Sequence, residues 1–233
     1  MNEAEEIAKA IQESAKLGEK GLEIADKVGS FFAKVFHEPI NEISGMINDK
    51  LRFIRWKRMV QMSEEVNTIL QQKQIAKTRS VPPKIALPIF EEATLEDDPD
   101  LQYLWNHLLA NAMNPNFNDE IRYGFIEMIK GITGIEVKLL HEFYKVLRQE
   151  NKLIPLNKVF EYSVKKEQFI STLKITVDIY AISVNNLMRM QLISPAILKG
   201  GIKIGSEPIT IYKGIDAVTL TPLGVKFVEA CIK

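Results

Sequence analysis

The sequence predicts a mainly α-helical protein, with an N-terminal helical region joined to a smaller C-terminal α+β, winged-helix-like module. Three observations carry that prediction. Apolar residues recur at helical spacing up to about residue 150. Beyond about residue 196, short β-branched runs separated by glycines take over. The charge divides in the same region: residues 1–131 hold 16 basic and 21 acidic side chains, and residues 132–233 hold 14 and 9. A soft boundary falls at Gly131-Ile-Thr-Gly134, where glycine can end one helix and Thr133 cap the next. The expected organisation is an amphipathic segment over 1–38, a helical domain over 39–131 and a winged-helix-like domain over 132–233.

Composition narrows the function classes without choosing one. The chain has 233 residues, 46% hydrophobic and 26% charged, as in ordinary globular proteins. Thirty Lys and Arg balance thirty Asp and Glu, which argues against a basic nucleic-acid coat or an acidic tail. No apolar run approaches the ~18 residues that span a bilayer. The acidic start MNEAEEIAKA does not resemble a signal peptide. A lone Cys231 forms no internal disulfide and fits a reducing compartment, so the expected location is cytoplasmic.

Residues 3–36 read as one broken helix or two, interrupted near Gly18 and Gly21. Leu17, Ile24, Val28, Phe31, Phe32 and Val35 share one side, beside a row of small residues, Gly21, Ala25, Gly29 and Ala33. Small residues four apart let a second helix approach closely. A membrane-surface helix favours a basic polar face, whereas this one balances Lys20, Lys27 and Lys34 against Glu19, Glu23 and Asp26. The expected partner of Gly21, Ala25, Gly29 and Phe32 is therefore a protein or a second copy of the chain, with a membrane surface less favoured.

A long helix should run from Pro39 to about Gln74. Within it, Asp49–Arg58 is half basic, and Arg52, Arg55 and Arg58 are candidates for phosphate contact. The alternative is a solvated basic face whose aromatic residues, Phe53 and Trp56, belong to the core, as their spacing with Val60 favours. Pro82-Pro83 then breaks the chain, and Lys84–Ala93 is short and apolar, with Pro88 limiting its regularity. Six carboxylates between Glu91 and Asp100 could suggest a metal, but their place before Pro99 fits helix capping better. No metal or other cofactor is expected. From Pro99, Leu101, Leu104, Trp105, Leu108 and Ala112 form the clearest core stripe, and a further helix should span Asp119–Lys130.

The run from Pro83 to Met113, with its proline-lysine start, its acidic turn and the helix ending Leu108-Leu-Ala-Asn-Ala112, resembles the abortive infection alpha family of bacterial proteins. Ile47–Trp56 and Leu220-Thr-Pro-Leu-Gly-Val-Lys-Phe227 are similar to that family as well. The resemblance covers roughly residues 20–230 and implies phage defence by abortive infection. It transfers no catalytic residue.

Ile135–Glu150 carries a helical apolar stripe, residues 151–180 are ambiguous between helix and strand, and Ile182–Leu192 reads as a helix. Short β-rich runs over 197–220 and a closing helix over 222–232 complete a winged-helix-like pattern. In that geometry Asn185, Asn186 and Arg189 lie on the reading helix, and Lys199 and Lys203 on the wing. Nucleic acid could then be contacted through 180–213, making a DNA-binding regulator the alternative function. A single arginine on that helix is sparse for DNA, so protein contact is favoured. The chain shows no phosphate loop, nucleophile elbow or zinc spacing, and is not expected to be an enzyme. Pro99-Asp100 with Glu136-Val-Lys138 imitates a metal-dependent nuclease signature, but these residues sit in expected helices rather than on adjacent strands.

Overall fold

The computed structural model describes residue 16 and residues 50–148, 156–198, 203–204, 207–208, 211–212 and 215–232. The order is α1 (Lys50–Gln72), α2 (Pro83–Ala93), α3 (Pro99–Met113), α4 (Tyr123–Lys130), α5 (Gly134–Arg148) and a 3-10 turn (Leu156–Glu161). There follow β1 (Val164–Lys165), α6 (Lys166–Leu173), α7 (Val177–Arg189), β2 (Ile193–Pro195) and β3 (Ile197–Leu198). Next come β4 (Lys203–Ile204), β5 (Glu207–Pro208), β6 (Ile211–Tyr212), β7 (Ala217–Leu220) and α8 (Pro222–Cys231). The architecture is mainly helical with a small antiparallel sheet. Among the described residues, no helix is long and apolar enough to cross a membrane. Two compact units divide the chain. The first takes the described residues up to Asp98 with Gln102–Ile126, and the second takes Pro99–Leu101 with those from Glu127 onward.

In the first unit, α1 buries Trp56, Val60, Ser63, Val66 and Leu70 along one stripe. Helix α2 buries Ala86, Ile89, Phe90 and Ala93. Pro88 does not interrupt it, because apolar burial on both sides of the proline offsets the missing amide hydrogen bond. Leu104, Trp105 and Leu108 of α3 are core residues, as their spacing predicts. The C-terminal carbonyls of α3 are closed from outside. Arg79 donates its backbone amide to the Met113 carbonyl at 2.8 Å and its Nε to the Ala112 carbonyl at 2.8 Å. The acidic turn is held by Gln102, whose Nε2 donates to the carbonyls of Ala93 and Glu96, both at 2.7 Å. Glu96 itself accepts the amides of Asp97 and Asp98, so this carboxylate works as a local cap. Helix α4 starts only at Tyr123, four residues later than the sequence suggests; Phe125, in the first unit, and Ile129, in the second, are both buried.

The second unit packs around Phe143, Phe169 and Tyr180, with ring centroids 5.1 and 5.8 Å apart. The buried Tyr180 hydroxyl donates to the Ile215 carbonyl at 2.7 Å, and burial pushes its pKa up to about 12. The sheet runs β1-β7-β2, all antiparallel, with Val164 opposite Val218 and Ile193 opposite Leu220. All four residues of β7 are buried. Thr219, a polar residue in that strand, donates its hydroxyl to the carbonyls of Tyr162 at 2.6 Å and Val159 at 3.0 Å, pinning the 3-10 turn. Beyond β2, β3 pairs with β6 and β4 with β5.

The ambiguous stretch 151–180 thus divides into a 3-10 turn, a two-residue strand, helix α6 and the start of α7. Helix α7 begins at Val177 rather than at Ile182 because Thr176 caps it, accepting the Ile179 amide at 3.3 Å. The Thr221-Pro-Leu-Gly224 motif has a similar logic. Thr221 caps α8 by accepting the Gly224 amide at 2.9 Å, and Pro222 takes the first turn. Gly224 lies so close to the Leu192 carbonyl oxygen that an added Cβ would sit 1.9 Å from it. At Gly124 in α4, by contrast, an added Cβ meets nothing within 4 Å. Gly224→Ala should therefore cost ~1–3 kcal/mol of unfolding free energy. Gly124→Ala should gain ~0.5–1 kcal/mol. Urea denaturation reads both: a Gly224→Ala variant as stable as the parent would contradict the packing described for α8, and a destabilised Gly124→Ala variant would contradict the open surface described for α4.

Candidate functional site

Helix α7 is amphipathic, and its outer face is unusual in what it exposes. Tyr180, Ser183, Val184 and Leu187 face inward. Asp178, Ile182, Asn185 and Arg189 are spaced four, three and four apart, so they fall on one outward stripe. Ile182 is 70% exposed, with Val177 and Ile179 beside the stripe at 55% and 41%. Val177 and Ile179 flank the stripe on its two sides, so Ile182 is its apolar centre and the flanks widen the exposed aliphatic area. The end charges suit the helix itself, since Asp178 lies in the first turn and Arg189 in the last.

Asn186 serves another purpose than reading a ligand. Its Nδ2 donates to the Gly131 carbonyl and to Glu136 Oε1, both at 2.9 Å. Glu136 is buried, and its Oε2 accepts the Thr133 amide at 2.6 Å and the Thr133 hydroxyl at 3.2 Å. This is the return half of a capping box at the start of α5, with Asn186 satisfying the second carboxylate oxygen. Arg189 completes the chain by donating Nη2 to Asn186 Oδ1 at 2.8 Å. Of the three residues expected on a reading helix, Asn185 and Arg189 are exposed and Asn186 is a brace.

Arg55 Nε donates to Thr94 Oγ1 at 3.3 Å, and Arg58 Nη1 to the Thr94 carbonyl at 3.5 Å, so both engage the C-terminal end of α2. Trp56 between them is buried. Gly21, Ala25, Gly29, Phe32 and Lys199 lie outside the described residues, as do the side chains of Arg52 in α1 and Lys203 in β4. The nuclease-like set is brought together in part. Lys138 Nζ lies 3.1 Å from Asp100 Oδ2, but both are on helices and Glu136 is committed to Thr133 and Asn186. Among the described residues, no group of three or more His, Cys, Asp or Glu could hold a metal ion. Cys231 is fully buried, which pushes its thiol pKa well up and leaves it unreactive.

Beside the Asp100–Lys138 pair, His141 is half-buried on α5. Burial holds its imidazole below the usual histidine range; Lys145 adds to the depression, while Asp100 and Glu142 oppose it. The unfolded chain therefore takes up this proton first as the pH falls. Stability contributed by neutral His141 is fully present above the unfolded value of 6.5 and is lost as the pH falls from there through the lower folded value. Replacing His141 with Gln should flatten the fall in thermal midpoint between about pH 7 and 5. Equal slopes in the two proteins would show that His141 titrates alike folded and unfolded.

Neither the curated proteins nor the solved structures contain a match to this chain. A family model described as abortive infection alpha matches residues 55–231, from the second turn of α1 to the last residue of α8. That span takes in the whole of the exposed α7 face and the Glu136 network. The chain belongs to the abortive infection alpha family.

Proposed function

We propose that this chain acts in phage defence by abortive infection, in the cytoplasm, through contact with a protein partner rather than through catalysis. Family membership supports the defence role. The exposed α7 face supports the mode of action, and it is the observation that carries the reading.

The second unit reads as a winged-helix-like module. A helix (α5), a short strand (β1), two helices (α6 and α7) and a strand pair follow one another, and the last strand lies between the first two in the order β1-β7-β2. On that reading α7 occupies the position from which DNA is read in helix-turn-helix proteins. A duplex-binding face needs several cations against phosphates. Here Asp178, Val177, Ile179 and Ile182 dominate, and the one cation, Arg189, is drawn to Asn186. Such a face suits an apolar protein surface far better than a polyanion. The N-terminal segment with Gly21, Ala25, Gly29 and Phe32 offers a second surface, suited to a partner helix or self-association.

Phage challenge of cells with and without the protein tests the role. Plaque numbers should fall while infected cells die, and equal numbers would refute defence. Ile182→Asp places a charge at the centre of the exposed stripe without touching the core. It should abolish protection at unchanged protein level. Full protection by this variant would remove α7 from the mechanism, and tight, steeply salt-dependent duplex binding by the purified protein would move the assignment to a DNA-binding regulator.

A further inference from the structure

A cleft of about 840 Å³ opens in the first unit, between the segment entering α2 and the segment entering α4. Its volume is within the range of small-molecule sites. Three cationic side chains line it: Arg79, Lys84 and Arg122. Arg79 is fixed in place by its bonds to the carbonyls of Ala112 and Asn111, at 2.8 and 3.4 Å. Lys84 is exposed, and Arg122 pairs only loosely, 3.9 Å from Glu120 with both side chains largely in solvent.

The polar backbone adds to this charge. Two helices start at the cleft, and among the described residues nothing accepts the amides of Lys84, Tyr123 or Gly124. Pro82, which precedes α2, has no side chain that could cap it. The rest of the lining is of a different kind. Tyr123 is 43% exposed, and Asp119 and Glu120 also line the cleft. Cations alone would suit any anion. Cations together with an exposed aromatic ring and hydroxyl acceptors suit a ligand with three parts.

We propose that this cleft binds a nucleoside monophosphate. Its phosphate lies among Lys84, Arg122 and Arg79, its sugar hydroxyls donate to Asp119 or Glu120, and its base stacks on Tyr123. The open space over Gly124 gives the ligand room against the α4 backbone. This site is independent of the α7 surface, and either assignment can fail without the other.

Titration calorimetry on the full chain tests it, with adenosine monophosphate as probe and adenosine, inorganic phosphate and a short single-stranded oligonucleotide as comparison ligands. Adenosine monophosphate should bind about tenfold or more tightly than adenosine or phosphate alone. The double variant Lys84→Gln/Arg122→Gln should weaken it by about tenfold or more with an unchanged unfolding midpoint, because both side chains are exposed. Gly124→Leu should block binding by filling the open space, again with the fold intact. Absence of binding at millimolar adenosine monophosphate would overturn the proposal. So would equal affinity in the wild type and the double variant, equal affinity for inorganic phosphate, or binding of the oligonucleotide alone.

Discussion

A buried carboxylate, Glu136, organises the second unit. An ionised group removed from water is tolerated only when its oxygens are fully hydrogen-bonded. Glu136 meets that demand locally through the Thr133 amide and hydroxyl, and at long range through Asn186. The first pair of bonds starts α5. The third fixes where α7 lies against the α4–α5 turn, and with it which side of α7 faces outward. Arg189 then bonds to Asn186, so two polar residues of α7 are already engaged before any ligand is considered. The outward face is left to Asp178, Ile182, Asn185 and the flanking aliphatic residues.

The same pattern recurs wherever this chain places a polar group inside. Thr219 ties a buried strand to the 3-10 turn, Thr221 starts α8, Arg79 closes the end of α3, and Gln102 secures the acidic turn. Each would pass for a functional residue if polarity alone were the guide, and each satisfies backbone groups that helix and strand ends leave open. Groups that this structural use leaves exposed are more informative. Among the described residues they include the aliphatic side chains of α7 in the second unit, and Lys84 and Arg122 at the cleft beside α2 and α4 in the first, where the structurally engaged Arg79 joins them. The two sets differ in chemistry, one suited to a macromolecular surface and the other to a small anion.

Much of this was legible in the sequence, and the reasons are local. The Leu104-Trp105-Leu108 stripe has a strict helical period, so burial followed from spacing. Thr133 was readable as a cap from its place after Gly131, whereas its partner Glu136 and the cap, first turn and close approach within Thr221-Pro-Leu-Gly224 emerge only from the structure. The start of α7 was not legible. Ile175 before it and Val177, Ile179 and Ile182 within it are β-branched and partly alternate, which fits a strand as well as a helix until the Thr176 cap decides it. Neither the role of Asn186 nor the cleft could be read from periodicity. Asn186 meets Glu136 across 50 positions of chain, and Arg79 and Arg122 line one cavity from segments some forty residues apart.

A double-mutant cycle on Glu136 and Asn186 tests the organising role of this carboxylate most directly. Thermal and urea unfolding of Glu136→Ala, Asn186→Ala and the double variant would give the coupling energy. A hydrogen bond to a buried charge predicts coupling of about 1.5–3 kcal/mol, with the double variant much less destabilised than the sum of the single ones. Additive effects would contradict the account, because α7 would then be held in place without the Glu136 carboxylate.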